Sequence, residues 1–159
     1  MLQPKPVSAS EVIMTQLVLP IHINSLDTIF GGTIMSWIDI AAAISAQRHS
    51  NREVVTASID QLSFYAPVKK GWVVNLKSRV NFTAKTSMEV GVHVTAENPR
   101  TGVLFHTSSA YLTFVALDSN SRPTLVPELI LQTDDDRRRF EDGKSRRGAR
   151  LKKRQLLPF

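Results

Sequence analysis

Two hydrophobic periods alternate along the chain. Residues 11–19, EVIMTQLVL, are rich in β-forming side chains and run into Pro20 and the polar stretch HINSLD, which predicts a strand and then a loop. Residues 31–49, GGTIMSWIDIAAAISAQRH, hold no proline and no glycine past the opening pair. Their apolar positions at Ile34, Ile38, Ala41, Ala42 and Ile44 predict a long helix, hydrophobic nearly all round and therefore buried.

Four runs of strand character follow, at 53–64, 72–83, 87–97 and 103–117, with turn signals at 67–71, 84–86 and 98–102 that predict short hairpins. In the second run Trp72, Val74, Leu76, Val80 and Phe82 share one face, and Asn75, Lys77, Arg79 and Asn81 share a face expected to be wet. One strand, one buried helix and four strands make an α+β pattern, an antiparallel sheet wrapped around a single helix. Past Pro127 the composition turns polar, with acids ahead of bases as a helix dipole favours, so 128–159 reads as a peripheral helix or a tail.

Composition changes this picture in three places. At 159 residues and 42% hydrophobic content the chain suits one compact domain, expected at 11–127 between a short extension at 1–10 and the charged end. The absence of cysteine and of clustered histidines excludes a disulfide framework, a thiolate nucleophile and an ordinary metal site. The formal charge of +6 is local, because residues 1–133 carry ten Lys and Arg against nine Asp and Glu while 134–159 carry ten against five. The basic run through Arg146, Arg147, Arg150, Lys152, Lys153 and Arg154 therefore reads as a solvated helix face, and nucleic acid is not expected as a partner. With no leader pattern and no apolar stretch long enough to span a bilayer, a soluble cytoplasmic protein is expected.

Candidate chemistry centres on the helix. Asp39 is the only ionisable residue between Gly31 and Ala46 and is flanked by Ile38 and Ile40, a costly place for a carboxylate without a structural hydrogen bond or a catalytic role. Gly31 and Gly32 either make a tight turn or leave first-turn N–H groups open to a carbonyl oxygen, which the positive end of the helix dipole favours. Asn24 and Thr28 stand in the preceding loop and offer hydrogen bonds. Asp60 and Glu89 read as solvated strand residues, and no GxSxG elbow supports a serine triad.

The segments HINSLDTIFGGTIMSWID, VVTASIDQLSFYAPVKKG, TSMEVGVHV and AYLTFVALD, in this order over about residues 12–127, resemble the hot-dog-fold acyl-CoA thioesterases, the group of bacterial short- to medium-chain acyl-CoA hydrolases and the brain acyl-CoA hydrolase. The resemblance implies a homodimer joined edge to edge through its sheets, often a trimer of dimers, with active sites at the dimer interface. It implies Asp39 as catalytic carboxylate, Asn24 as catalytic asparagine, the Gly32 amide beside Gly31 polarising the thioester carbonyl, and CoA contacts from Lys85, Thr86, Ser87 and Phe64. Neither cofactor nor metal is implied, since the CoA thioester is itself the substrate. His22-Ile23, where many relatives carry a more polar pair, and bulky Trp37 depart from the pattern. An acyl-CoA-binding protein without turnover is the alternative, and a dehydratase is disfavoured because no histidine accompanies Asp39.

Overall fold

The computed structural model describes residues 2–156. In chain order the elements are β1 (Lys5–Pro6), β2 (Val12–Leu17), α1 (Gly31–Ser50), β3 (Glu53–Phe64), β4 (Val73–Thr83), β5 (Ser87–Asn98), β6 (Val103–Leu117), β7 (Leu129–Ile130) and α2 (Asp134–Leu156), with single 3-10 turns at Val7–Ser10 and Pro20–His22. β1 and β7 form a small parallel pair, and the other five strands make one antiparallel sheet in the order β2-β4-β5-β6-β3. This sheet curls around α1, and its inner face and the helix share one core containing Ile34, Ile38, Ala42, Leu76, Val90, Leu112 and Phe114. The α+β, hot-dog expectation therefore holds.

The strand order departs from the expected run of hairpins. β4–β5 and β5–β6 are hairpins, but β3 pairs with β6 and occupies the far edge, so the segment around Pro67 crosses the open end of the sheet. That crossing is held by Ile29 N–H donating to the Val68 carbonyl at 2.7 Å and by a bridge between Thr28 and Lys69. It seats the loop before α1 against the helix N-terminus. Strand periodicity reports which face a residue takes, not which strand lies beside it.

Three side chains also sit differently from their pattern. The register of β4 against β5 shifts between Val80 and Phe82, a bulge that absorbs Asn81 and turns Phe82 onto the outer face, opposite Glu89. Asn81 is consequently buried rather than wet, and Phe82 packs on Phe140 of α2 with ring centroids 4.9 Å apart. Glu89, expected in solvent, is 3% exposed and accepts from Nε and Nη2 of Arg146 at 3.0 and 2.7 Å.

The charged C-terminal segment is thus a helix laid across the outside of the sheet. Arg79 pairs with Asp135 at 2.6 Å and Asp136 at 3.2 Å, Arg150 pairs with Asp60 at 2.7 Å, and Arg146 lies 3.6 Å over the Tyr111 ring. Arg146 and Arg150 are accordingly not a solvated face. The polar outer face of the sheet is matched by a helix whose inward side is itself charged, which apolar periodicity cannot reveal.

Close approach of α2 depends on one glycine. A Cβ on Gly143 would lie 2.8 Å from the Phe82 Cβ and 3.0 Å from Glu89 Oε1, so any side chain there must push the helix outward. Gly143→Ala should lower stability by about 1–3 kcal/mol although alanine is the better helix former, because overpacking outweighs a propensity gain of about 1 kcal/mol. Thermal denaturation at fixed protein concentration reads this directly, and an unchanged or raised midpoint would contradict it.

Candidate active site

α1 starts without a side-chain cap. Phe30 stands at the N-cap position in extended conformation, and the first helical amides with a backbone acceptor are Thr33 and Ile34, both on the Phe30 carbonyl. Among the described residues the Gly31 and Gly32 N–H groups have no partner, so donors and positive dipole end face the same opening. A side chain on Gly32 would strike the Phe30 ring, and a Cβ on Gly31 would sit 3.6 Å from the Phe64 ring. A cavity of about 340 Å³ opens beside them, lined by Ile29, Gly31, Ile34, Phe64, Tyr65 and Pro67 among others. It is apolar enough for a hydrocarbon chain and adjoins donors suited to a carbonyl oxygen.

Asn24 organises the loop leading into this opening. Its side-chain oxygen accepts from the Leu26 N–H at 2.9 Å, the Thr28 N–H at 3.3 Å and the Thr28 hydroxyl at 3.2 Å. Backbone N–H groups are obligatory donors, so the amide oxygen must face the loop and the side-chain NH2 is left pointing outward as a donor. Phe30 N–H to the His22 carbonyl, at 2.8 Å, closes the same loop, while the His22 ring meets Trp37 edge-on at 5.0 Å.

Asp39 lies two turns down the helix and is half-buried, not enclosed as the helix pattern predicted. Met35 and Ile40 on the same helix are also exposed, at 40% and 49%. Its partner is Thr56 on β3, whose hydroxyl donates to Asp39 Oδ1 at 2.7 Å, and Oδ2 has no partner among the described residues. Sequence reasoning missed Thr56. The only signal was its place in a strand starting directly after the helix, and threonine is ordinary in strands.

One chain does not bring these groups together. At 1.5 Å per residue, Gly32 and Asp39 are about 10 Å apart along α1, too far for both to contact one carbonyl group. Lys85, Thr86 and Ser87 stand beside the ends of β6, where Ala116 N–H meets the Thr86 carbonyl, whereas Phe64 is at the opposite end of the sheet. The level of Val55, opposite Val115, lies seven β6 residues from that of Phe64, opposite Ser108, about 23 Å. β3 itself is a sheet-edge strand of 12 residues, and such a strand leaves half its backbone groups unpaired.

A larger groove, about 660 Å³, lies on the outer face against α2, away from Asp39 and the helix opening. Lys77, Arg79, Arg138 and Arg139 line it with Asp135, whose carboxyl is held well below the usual range by hydrogen bonds from Arg139 and Arg138. It is a network of ion pairs holding the helix, not an apolar slot. No cluster of His, Cys, Asp or Glu among the described residues could hold a metal, and no described helix is long and apolar enough to cross a membrane.

Residues 26–103 match the family model of the thioesterase superfamily. The uncharacterized acyl-CoA thioester hydrolase YkhA of Bacillus subtilis is 43% identical over 80% of this chain and 74% of its own length. The cytosolic acyl coenzyme A thioester hydrolase of rat is 35% identical over 96% of this chain, which spans only 41% of that protein. A hexameric acyl-CoA thioesterase in its apo form superimposes with a TM-score of 0.93 at 40% identity, covering 98% of this chain and 100% of the other. The acyl-CoA hydrolase of Staphylococcus aureus, solved with butyryl coenzyme A and coenzyme A, superimposes with a TM-score of 0.85 at 32% identity over 96% of both chains. Solved variants of the staphylococcal protein replace an asparagine, an aspartate and a threonine by alanine, at the same mutual spacing as Asn24, Asp39 and Thr56 here. By fold, by family model and by these identities, the chain belongs to the thioesterase superfamily, among its hot-dog acyl-CoA thioesterases.

Proposed function

We propose that the protein hydrolyses acyl-CoA to a free fatty acid and CoA at a site shared between two copies. One copy supplies Asp39 and Thr56, and the other supplies Asn24 and the amides of Gly31 and Gly32. The observation that carries this reading is the Asp39 carboxylate, whose Oδ1 accepts from the Thr56 hydroxyl at 2.7 Å while Oδ2 has no partner among the described residues, and which is separated within its own chain from the uncapped helix end. A thioester carbonyl resting on the Gly32 N–H develops negative charge as the tetrahedral intermediate forms, and one such preorganised donor contributes roughly 3 kcal/mol. Asp39 then acts on the carbonyl carbon directly or takes a proton from an attacking water, and the outward NH2 of Asn24 donates to that water or to the carbonyl oxygen. No cofactor takes part in these steps.

The acyl chain occupies the apolar cavity beside Phe64. Lys85, Thr86 and Ser87 of the other copy supply polar contacts for CoA, and Phe64 closes the near side. Antiparallel pairing of the β3 edges places the two sets next to each other, and three such dimers make a hexamer, a state that fits the hexameric relative. The catalytic unit is residues 11–127, and a cytosolic location follows the rat relative.

The decisive experiment is release of free CoA from acetyl- to palmitoyl-CoA by the purified protein. A thiol reagent reads it without background, since the chain has no cysteine. Turnover of one range of chain lengths is expected, and saturable binding with no release on any ester would leave an acyl-CoA-binding protein instead. Thr56→Ala should lower kcat about tenfold, the scale of one hydrogen bond to a charged group, while Thr56→Ser retains most activity. Equal loss in both variants would contradict the role given to the hydroxyl.

A further inference from the structure

The path of α2 over the sheet ends in an overhang. Its contacts advance strand by strand: Asp136 to Arg79 on β4, Arg146 to Glu89 on β5 and to Tyr111 on β6, then Arg150 to Asp60 on β3. Four residues, about 6 Å of helix, carry it from β6 to β3, and neighbouring strands are about 4.8 Å apart, so the helix runs almost straight across the strands. β3 is the last strand of the sheet. The six residues 151–156 therefore extend about 9 Å past the edge, nearly two strand positions, with no strand of their own chain beneath them. All six are exposed, with Leu156 at 79%, and none makes a side-chain hydrogen bond or ion pair among the described residues.

We infer that residues 151–156 of α2 form a clasp on the outer sheet face of a second copy of this chain, joined to the first along β3. The inference rests on the two-copy reading above. Thr56 turns inward to Asp39, so its neighbour Val55 faces outward, and it is 46% exposed. Glu53, at the start of the strand, is exposed and has no ion pair among the described residues. Antiparallel pairing about the middle of β3 sets the copy's first half, with Val55 and Glu53, alongside the second half, where α2 crosses at Asp60. At 3.6 residues per turn Arg154 returns to the side of α2 that Gly143, Arg146 and Arg150 turn toward the sheet, with Leu151 and Lys153 flanking it, so an apolar residue and an unpaired acid then meet Leu151, Lys153 and Arg154. Within one chain this contact is out of reach, because Glu53, opposite Leu117, lies six β6 residues, about 20 Å, from Asp60, opposite Tyr111.

The clasp can be tested in the full chain, which has no cysteine of its own. Val55→Cys combined with Arg154→Cys, treated with a short thiol-to-thiol cross-linker, should give a covalent dimer on a denaturing gel. Monomer only, or a link confined within one chain, would overturn the clasp. Reversing the two facing charges with Lys153→Glu and Arg154→Glu should raise the dimer dissociation constant about tenfold. Adding Glu53→Lys should restore it, and an unchanged constant in the reversed chain would again overturn the clasp. A wild-type chain that stays monomeric at every concentration would instead remove the two-copy reading itself, so the two failures are distinguishable.

Discussion

Replacing Asp39 by alanine is expected to reduce kcat for acyl-CoA hydrolysis on the order of 10³-fold, within the range for loss of a general base or nucleophile. The fold should survive. Asp39 is half-buried at the rim of the core, and its hydrogen bond goes to an exposed threonine on an edge strand, so deletion strands neither a buried charge nor a buried donor. That separates catalysis from structure: a purely structural carboxylate would show its loss in the melting temperature and leave turnover per folded molecule intact. Asp39→Asn adds resolution. It keeps size and the contact with Thr56 but can neither accept a proton nor attack, so it should be nearly as inactive as the alanine variant. Turnover that survives in a folded Asp39→Ala protein would move the chemistry to another residue.

The second large effect is on stability. Arg146→Ala leaves the Glu89 carboxylate, now 3% exposed, without the bidentate guanidinium that offsets its desolvation. Breaking a buried pair from one side costs about 3–5 kcal/mol, and for a chain of this size that corresponds to a melting temperature lower by roughly 10 °C. Loss of the contact with the Tyr111 ring adds to it. The cost belongs to the orphaned charge rather than to the pair, so Arg146→Met together with Glu89→Met should recover most of the stability. A single Arg146→Ala variant as stable as the parent would mean that α2 lifts off the sheet easily and lets water reach Glu89. Calorimetry at matched protein concentration distinguishes these outcomes.

The pattern along the chain located most elements well. β3 and β6 fall on the ranges read from composition, and α1 differs from its expected span by one residue. Local signals suffice for that: β-branched runs, the glycine pair ahead of the helix, and turns at Asn98 and Gly102. Partnership is different. Nothing in residues 53–64 says that they lie beside β6 rather than β4, and the bulge that sends Phe82 outward has no marker within NFT. Glu89 looked solvated because the helix that buries it is itself charged. At the candidate site, Asp39 was visible as the single charge in an apolar helix and the glycine pair as an open helix start. Asn24 rested on resemblance to a family. Thr56 passed unnoticed, since its partner is seventeen residues away and only the folded chain brings the two within 2.7 Å.

One strand, β3, combines the residue that steadies the carboxylate with the unpaired edge of the sheet. If the reaction needs groups from both sides of that edge, dilution is itself an inhibitor. Specific activity then rises with enzyme concentration until the copies are paired, and bound ester or CoA, by favouring the paired form, shifts the midpoint of that rise toward lower concentration. Catalysis and assembly would share a single equilibrium, readable from rate against enzyme concentration.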